Sequence, residues 1–140
     1  MSAYRLSDDR AELDLDVIHG FLAESYWARN IPRETVERAI EGSHVVGAYS
    51  DEGQIGFARV ITDHATFAYL ADVFVLREYR GQGIASAMVR HLQDHPSLQG
   101  LRRWLLITRD AQPVYKGLGW TEITDPARFM ERHDPDVYSR

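Results

Sequence analysis

Arg80-Gly81-Gln82-Gly83-Ile84-Ala85 is the stretch of this chain whose residue types and spacing point most directly to chemistry. A β-branched and aromatic run ends just before it, and an apolar pattern with helical spacing follows. It therefore reads as the turn between a strand and a helix. Such a turn aims several backbone N–H groups and the positive end of a helix dipole at one point, which attracts an anion and above all a phosphate. Gly81 and Gly83 permit positive φ and present no Cβ to an approaching ligand. Arg80 adds a fixed positive charge. A P-loop would need Gly-Lys-Ser or Gly-Lys-Thr at the end of the turn, and a dinucleotide fingerprint would need a third glycine; neither is present. The plainer alternative is a connection whose glycines only turn the chain.

Two further groups of residues carry titratable or metal-binding chemistry. Strict alternation along the run before the turn places Leu70, Asp72 and Phe74 on one face, and Tyr69, Ala71, Val73 and Val75 on the other. A carboxylate between apolar residues is costly unless it is paired or functional. Asp72 therefore reads either as a general base or as the ion-pair partner of Arg59 or Arg77. His91 and His95 stand one helical turn apart, which is metal-ligand spacing. Without further ligands they read as solvent-facing, and no metal is expected.

These residues need a scaffold, and the chain is long enough to supply one. Its 140 residues suit one compact domain, residues 1–140, and 44% are hydrophobic. The formal net charge of −5 argues against a nucleic-acid or anionic-membrane surface and sits comfortably with a cationic substrate. The absence of cysteine excludes disulfides, zinc–cysteine sites and thiol nucleophiles. No apolar run reaches membrane-spanning length, and the chain reads as a soluble cytoplasmic protein.

The periodicities predict a short strand near Tyr4 to Leu6 and helices from about Asp14 and from Arg33. His44 to Tyr49, Ile55 to Ile61 and Phe67 to Leu76 should form an antiparallel meander, its first turn closed by Gly53. A helix from Gly83 to His95 follows. Next come an apolar strand from Trp104 to Thr108, expected to be buried on both faces, and a short helix from Pro113 to Gly117. A final strand spans Trp120 to Ile123.

This order resembles the GCN5-related N-acetyltransferase (GNAT) superfamily, and two segments carry the resemblance. Arg80 to Ala85 is similar to the family's pyrophosphate-binding motif, Gln/Arg-x-x-Gly-x-Gly/Ala. Ala111-Gln-Pro-Val-Tyr115-Lys-Gly-Leu-Gly119-Trp120 resembles its second signature, Ala-x-x-x-Tyr-x-x-x-Gly-Phe/Trp. The match runs from Val73 to Trp120. It implies an α+β fold: a central, mostly antiparallel twisted sheet of six to seven strands, splayed at its middle and flanked by about four helices. It also implies acetyl-coenzyme A as co-substrate and transfer of its acetyl group directly to a primary amine, of a small molecule or exposed on a protein. The family alternatively accommodates a non-catalytic acyl-coenzyme A-binding module, or a longer acyl donor. Many relatives pair through sheet edges, so a homodimer is compatible.

Residue by residue, the resemblance puts the pyrophosphate on Arg80, Gly81, Gln82, Gly83, Ile84 and Ala85, and the pantetheine along Val73, Phe74 and Val75. Tyr115 would lie beside the sulfur as the candidate acid, since a phenol stays protonated at pH 7; the plainer reading is a core tyrosine capping its own helix. Asp72 would be the base. Thr108 stands where the family often has Asn, which leaves a hydroxyl for the cofactor instead of an amide. Tyr26, Trp27, Arg29, Arg59, Phe67 and Tyr69 would line the acceptor pocket with apolar walls and cation–π contacts, or else simply close the core.

Overall fold

The computed structural model describes residues 3–140. Five strands form one sheet in the order of the chain: β1 (Arg5–Ser7), β2 (His44–Ser50), β3 (Gly53–Thr62), β4 (Phe67–Val75) and β5 (Arg103–Leu105). The first four are antiparallel and the β4–β5 pair is parallel. Four α-helices accompany them: α1 (Leu15–Glu24), α2 (Arg33–Glu41), α3 (Ile84–Gln93) and α4 (Gln112–Lys116). Among the described residues, no helix is long and apolar enough to cross a membrane.

The helix starts follow from local chemistry. Asp14 caps α1 by accepting from the Asp16 and Val17 N–H groups at 3.0 and 3.3 Å. Pro32 precedes α2, with its carbonyl accepting from Thr35 and Val36. Each layer then buries one face of the sheet. On one side α3 brings Ile84, Met88, Val89 and Leu92 against Val46, Ala58, Val60, Ala68, Leu70 and Val75. On the other, Ile18 and Leu22 of α1 and Val36 and Ile40 of α2 cover Val45, Phe57 and Phe74. The Phe21 ring stacks on Phe74 with centroids 4.1 Å apart, fixing α1 over the end of β4. Gly56 lets the layers pack closely, because a Cβ there would lie 3.1 Å from both Met88 Cε and the Phe74 carbonyl oxygen and would push them apart by a few tenths of an ångström.

Four expectations are corrected. The sheet has five strands instead of six to seven, because Trp120 to Ile123 has no strand partner. A cavity of ≈ 850 Å³ separates that segment from β5, and the Trp120 N–H turns back to the Tyr115 carbonyl. Next, β5 is not buried on both faces: Arg103 is exposed and Trp104 and Leu105 are half-buried. Thirdly, the alternation along β4 is broken. Arg59 pairs with Ala71 and Phe57 with Phe74, so Asp72 and Val73 together oppose Ala58. This is a β-bulge, and Asp72 takes the left-handed φ of 55°. The extra residue flips the parity: Leu70 packs with Val75 on the α3 side, while Asp72 turns to the α1 side with Phe74. Finally, His91 and His95 do not point into solvent; both face Asp8.

Phe57 is wholly buried at the centre of the α1–α2 layer. Phe57→Ala should cost about 3–5 kcal/mol of unfolding free energy in a urea titration. A cost near zero would mean that this layer does not hold the sheet.

Candidate functional site

The parallel pairing of β4 with β5 covers only Phe67 to Tyr69, opposite Arg103 to Leu105. Beyond Tyr69 the two strands part, and the rest of β4 has no strand along that edge. The Leu76 N–H goes to Ile55 on β3, so the neighbouring Val75 turns its polar groups toward the open edge. The Val75 carbonyl accepts there from Arg80 Nε at 3.0 Å. This contact, which the sequence did not signal, ties the glycine turn to the strand end.

The turn itself has the geometry its glycines suggested. Gly81 and Gly83 have φ of 82° and 77°, and space is open where a Cβ would stand at either. Gly83 caps α3 without any side-chain acceptor. Among the described residues, the N–H groups of Gly81, Gln82, Gly83, Ile84, Ala85 and Ser86 have no hydrogen-bond acceptor; the next, of Ala87, goes to the Gly83 carbonyl. Six successive amides at the head of a ten-residue helix are therefore left without acceptors. Gln82 adds a buried side-chain oxygen without a partner.

Asp72 sits on the bulge in the middle of β4, with its two oxygens held by different elements. Oδ2 accepts from Arg59 Nε at 2.7 Å, and Oδ1 accepts from Trp27 Nε1 at 2.8 Å. Arg59 also donates to Ser43 Oγ at 3.0 Å. The ion pair is largely buried, with side-chain exposures of 15% and 10%. Tyr69 shares this wall: burial, and then the nearby Asp72 carboxylate, push its phenol upward in pKa, with Arg59 opposing.

The loop after α1 folds over this wall. The Ser25 hydroxyl accepts from the Ala28 N–H and donates to the Leu22 carbonyl, which pins the loop. Trp27 stands edge-on to Tyr26 with centroids 5.1 Å apart, and the Arg109 guanidinium lies 3.9 Å above the Tyr26 ring. Arg109 was not among the residues singled out in the sequence; neither it nor Ser43 belongs to a motif that could have flagged it.

Tyr115 in α4 lines the cavity beside β5 and packs against the α3-side core. Burial raises its phenol pKa, and the nearby Tyr26 raises it further. Its ring meets Trp120 at 6.0 Å. Thr108 Oγ1 accepts from the Ala111 N–H at 3.1 Å, which starts the turn into α4 and leaves its hydroxyl proton and one lone pair for other partners.

Two of the predicted pocket residues lie apart from this group. Phe67 begins β4, five positions and roughly 16 Å from Asp72. Arg29 is exposed and enters no hydrogen bond or ion pair among the described residues. Tyr26, Trp27, Arg59, Tyr69 and Asp72 thus share one wall over β4, while Tyr115 lines the cavity between β5 and Trp120 to Asp125.

Comparison with known proteins identifies the family and the fold. The model of the acetyltransferase (GNAT) domain matches residues 41–122. A Gibberella zeae protein that carries the name putative acetyltransferase is 32% identical over 146 residues, spanning 87% of this chain and 81% of that protein. The crystal structure of a Xanthomonas campestris pv. campestris protein, described as a putative acetyltransferase of the GNAT family, superimposes with a TM-score of 0.95 at 45% identity. The match covers 100% of this chain and 99% of that one. A Clostridium acetobutylicum acetyltransferase crystallised with acetyl-CoA shares the fold, with a TM-score of 0.64 at 18% identity over 95% of this chain and 96% of that one. The second β-strand onward, the splayed sheet and the glycine turn all fall within the matched region, and the chain belongs to the GNAT acetyltransferases.

Proposed function

We propose that this chain is one acyl-coenzyme A N-acyltransferase domain that moves the acetyl group of acetyl-CoA directly to a primary amine. The observation that carries the reading is the run of six acceptor-free amides from Gly81 to Ser86, opening beside the free edge of β4. A diphosphate ester supplies the acceptor atoms those amides need, and the Arg80 Nη groups add charge at the same mouth. The relative crystallised with acetyl-CoA supports the choice of donor. Pantetheine, an extended amide chain, suits an open strand edge at Val73 to Val75.

In the reaction, the neutral amine nitrogen attacks the thioester carbonyl. A C–N bond forms, the C–S bond breaks, and the sulfur leaves as a thiolate that takes up a proton. Tyr115 is our candidate donor of that proton. Its raised pKa keeps the phenol protonated beyond pH 10.0, its ordinary value. The amine must arrive without its extra proton, because an alkyl ammonium with pKa about 10.4 has no lone pair to attack with. Tyr26, Trp27 and Tyr69 would flank it with rings that favour a cationic substrate before deprotonation.

Asp72 is better read as the anchor of the wall than as the base. Both of its oxygens already carry donors, and through them it holds Trp27 and Arg59 in place. Removing one partner of such a pair strands the other. Asp72→Asn should therefore lose about 3 kcal/mol of stability, and a compensating Arg59→Met should restore part of it. A large fall in kcat for Asp72→Asn at unchanged stability would return Asp72 to the role of base.

Four further outcomes are expected. Acetyl-CoA should raise the melting temperature by mass action. Gly83→Ala should keep the fold at a cost of about 1–2 kcal/mol for the left-handed backbone, yet weaken that shift sharply. Tyr115→Phe should lower kcat about 10²-fold with little change in melting temperature. In the wild type kcat/KM should rise with pH as the amine deprotonates and show no descending limb below pH 10.0, the ordinary value above which Tyr115 titrates. A descending limb near neutrality, absent from Tyr115→Phe, would contradict the assignment.

A further inference from the structure

A second constellation lies away from the cleft, where the C-terminal half of α3 meets the start of β2. Asp8, in the loop after β1, places Oδ2 3.5 Å from His91 Nε2 and 3.4 Å from His95 Nε2. His44, the first residue of β2, crosses His95 with ring centroids 4.2 Å apart. One ligand atom each from Asp8, His44 and His95 falls within 4.8 Å of the others. Both His44 Nε2 and His91 Nε2 are buried without a hydrogen-bond partner.

These distances do not suit the groups as they stand. A charge-assisted N–H···O bond closes to about 2.7–2.9 Å, yet neither imidazole comes that near the carboxylate. Buried imidazole nitrogens without partners are costly in their own right. Around a tetrahedral ion holding nitrogen and oxygen at about 2.0–2.1 Å, however, neighbouring ligand atoms stand roughly 3.3–3.4 Å apart. The Asp8–His95 spacing matches that edge, and His44 offers its ligand atom within 4.8 Å of both.

We propose that Asp8, His44 and His95 bind one divalent zinc-type ion, with the fourth position left to solvent. Imidazole nitrogen with a single carboxylate is a donor set that favours zinc and its transition-metal neighbours over magnesium or calcium. His95 also has the second contact such a ligand needs. Its Nδ1 lies 2.9 Å from Ser97 Oγ and 3.1 Å from the Ser97 N–H. With Nδ1 accepting that N–H, the ring proton rests on Nε2, toward Asp8. Binding the ion at Nε2 moves the ring proton to Nδ1, where Ser97 Oγ accepts it and the Ser97 N–H gives up its bond to that nitrogen.

The role is structural. His95 lies eleven positions beyond Ile84, roughly 16 Å along the helix direction from the glycine turn, too far to touch the reacting atoms. The ion would instead join the β1 loop, β2 and α3, pinning to the sheet the helix that presents the amides.

The test is isothermal titration of ZnCl₂ into the untagged full-length chain after chelator treatment, with melting temperature followed in parallel. One zinc per chain and a higher melting temperature are expected. Asp8→Asn, a change in an exposed loop, should weaken binding about tenfold or more, as should His95→Ala. Ser97→Ala should weaken it less. Cobalt substitution should give the intense visible bands of a tetrahedral site, lost in His44→Ala. Because a histidine variant may lose its fold, the Asp8→Asn and cobalt results decide. The proposal fails if the wild type takes up no zinc. It fails equally if Asp8→Asn binds as tightly as the wild type, or if cobalt shows only the weak spectrum of the hexaaqua ion.

Discussion

Backbone amides in a folded chain need acceptors, and the architecture here is arranged so that one set goes without. Six amides from Gly81 to Ser86 have no partner among the described residues. They can be left so because positive φ at Gly81 and Gly83 splays the turn outward, and because α3, packed through Ile84, Met88, Val89 and Leu92, cannot unwind to satisfy them. Arg80 reinforces the arrangement by bonding the Val75 carbonyl, so that strand end, turn and helix head form one unit. In the proposed function, that unit would take up an anion without rearranging, which is what would make binding there favourable.

The cleft follows from a second constraint on the same strand. β4 cannot pair fully with β5, because the two diverge after Tyr69. The bulge at Asp72 and Val73 re-aims the strand where the divergence opens. Asp72 is held in a left-handed conformation that non-glycine residues seldom adopt, and its two hydrogen bonds, to Trp27 and Arg59, offset that cost. One carboxylate thereby fixes the loop after α1 to the sheet. Tyr26 comes with that loop, and with it the approach to Tyr115.

Much of this was legible in the residues. Gly81 and Gly83 were read as positive-φ positions because the turn needs them, and both are. Gly53 closes the β2–β3 hairpin, and Asp14 and Pro32 start the helices where their chemistry places them. The pairing of Asp72 with Arg59 was one of two readings left open by the cost of a buried carboxylate. What stayed hidden depended on contacts distant in sequence. Ala71-Asp72-Val73 contains no glycine to announce a bulge, so a period of two was carried straight through it. Trp120 to Ile123 has strand-like composition but nothing to pair with. His91 and His95 looked like a helical pair without company, because Asp8 and His44 reach them only through the sheet.

Amide exchange resolved to single residues, by hydrogen–deuterium exchange or NMR with and without coenzyme A, tests the central claim most directly. The account predicts that the amides of Gly81 to Ser86 gain the largest protection or shift in the molecule, with Val73 and Val75 next. Coenzyme A binding that leaves those six amides unchanged, and protects some other surface instead, would contradict it.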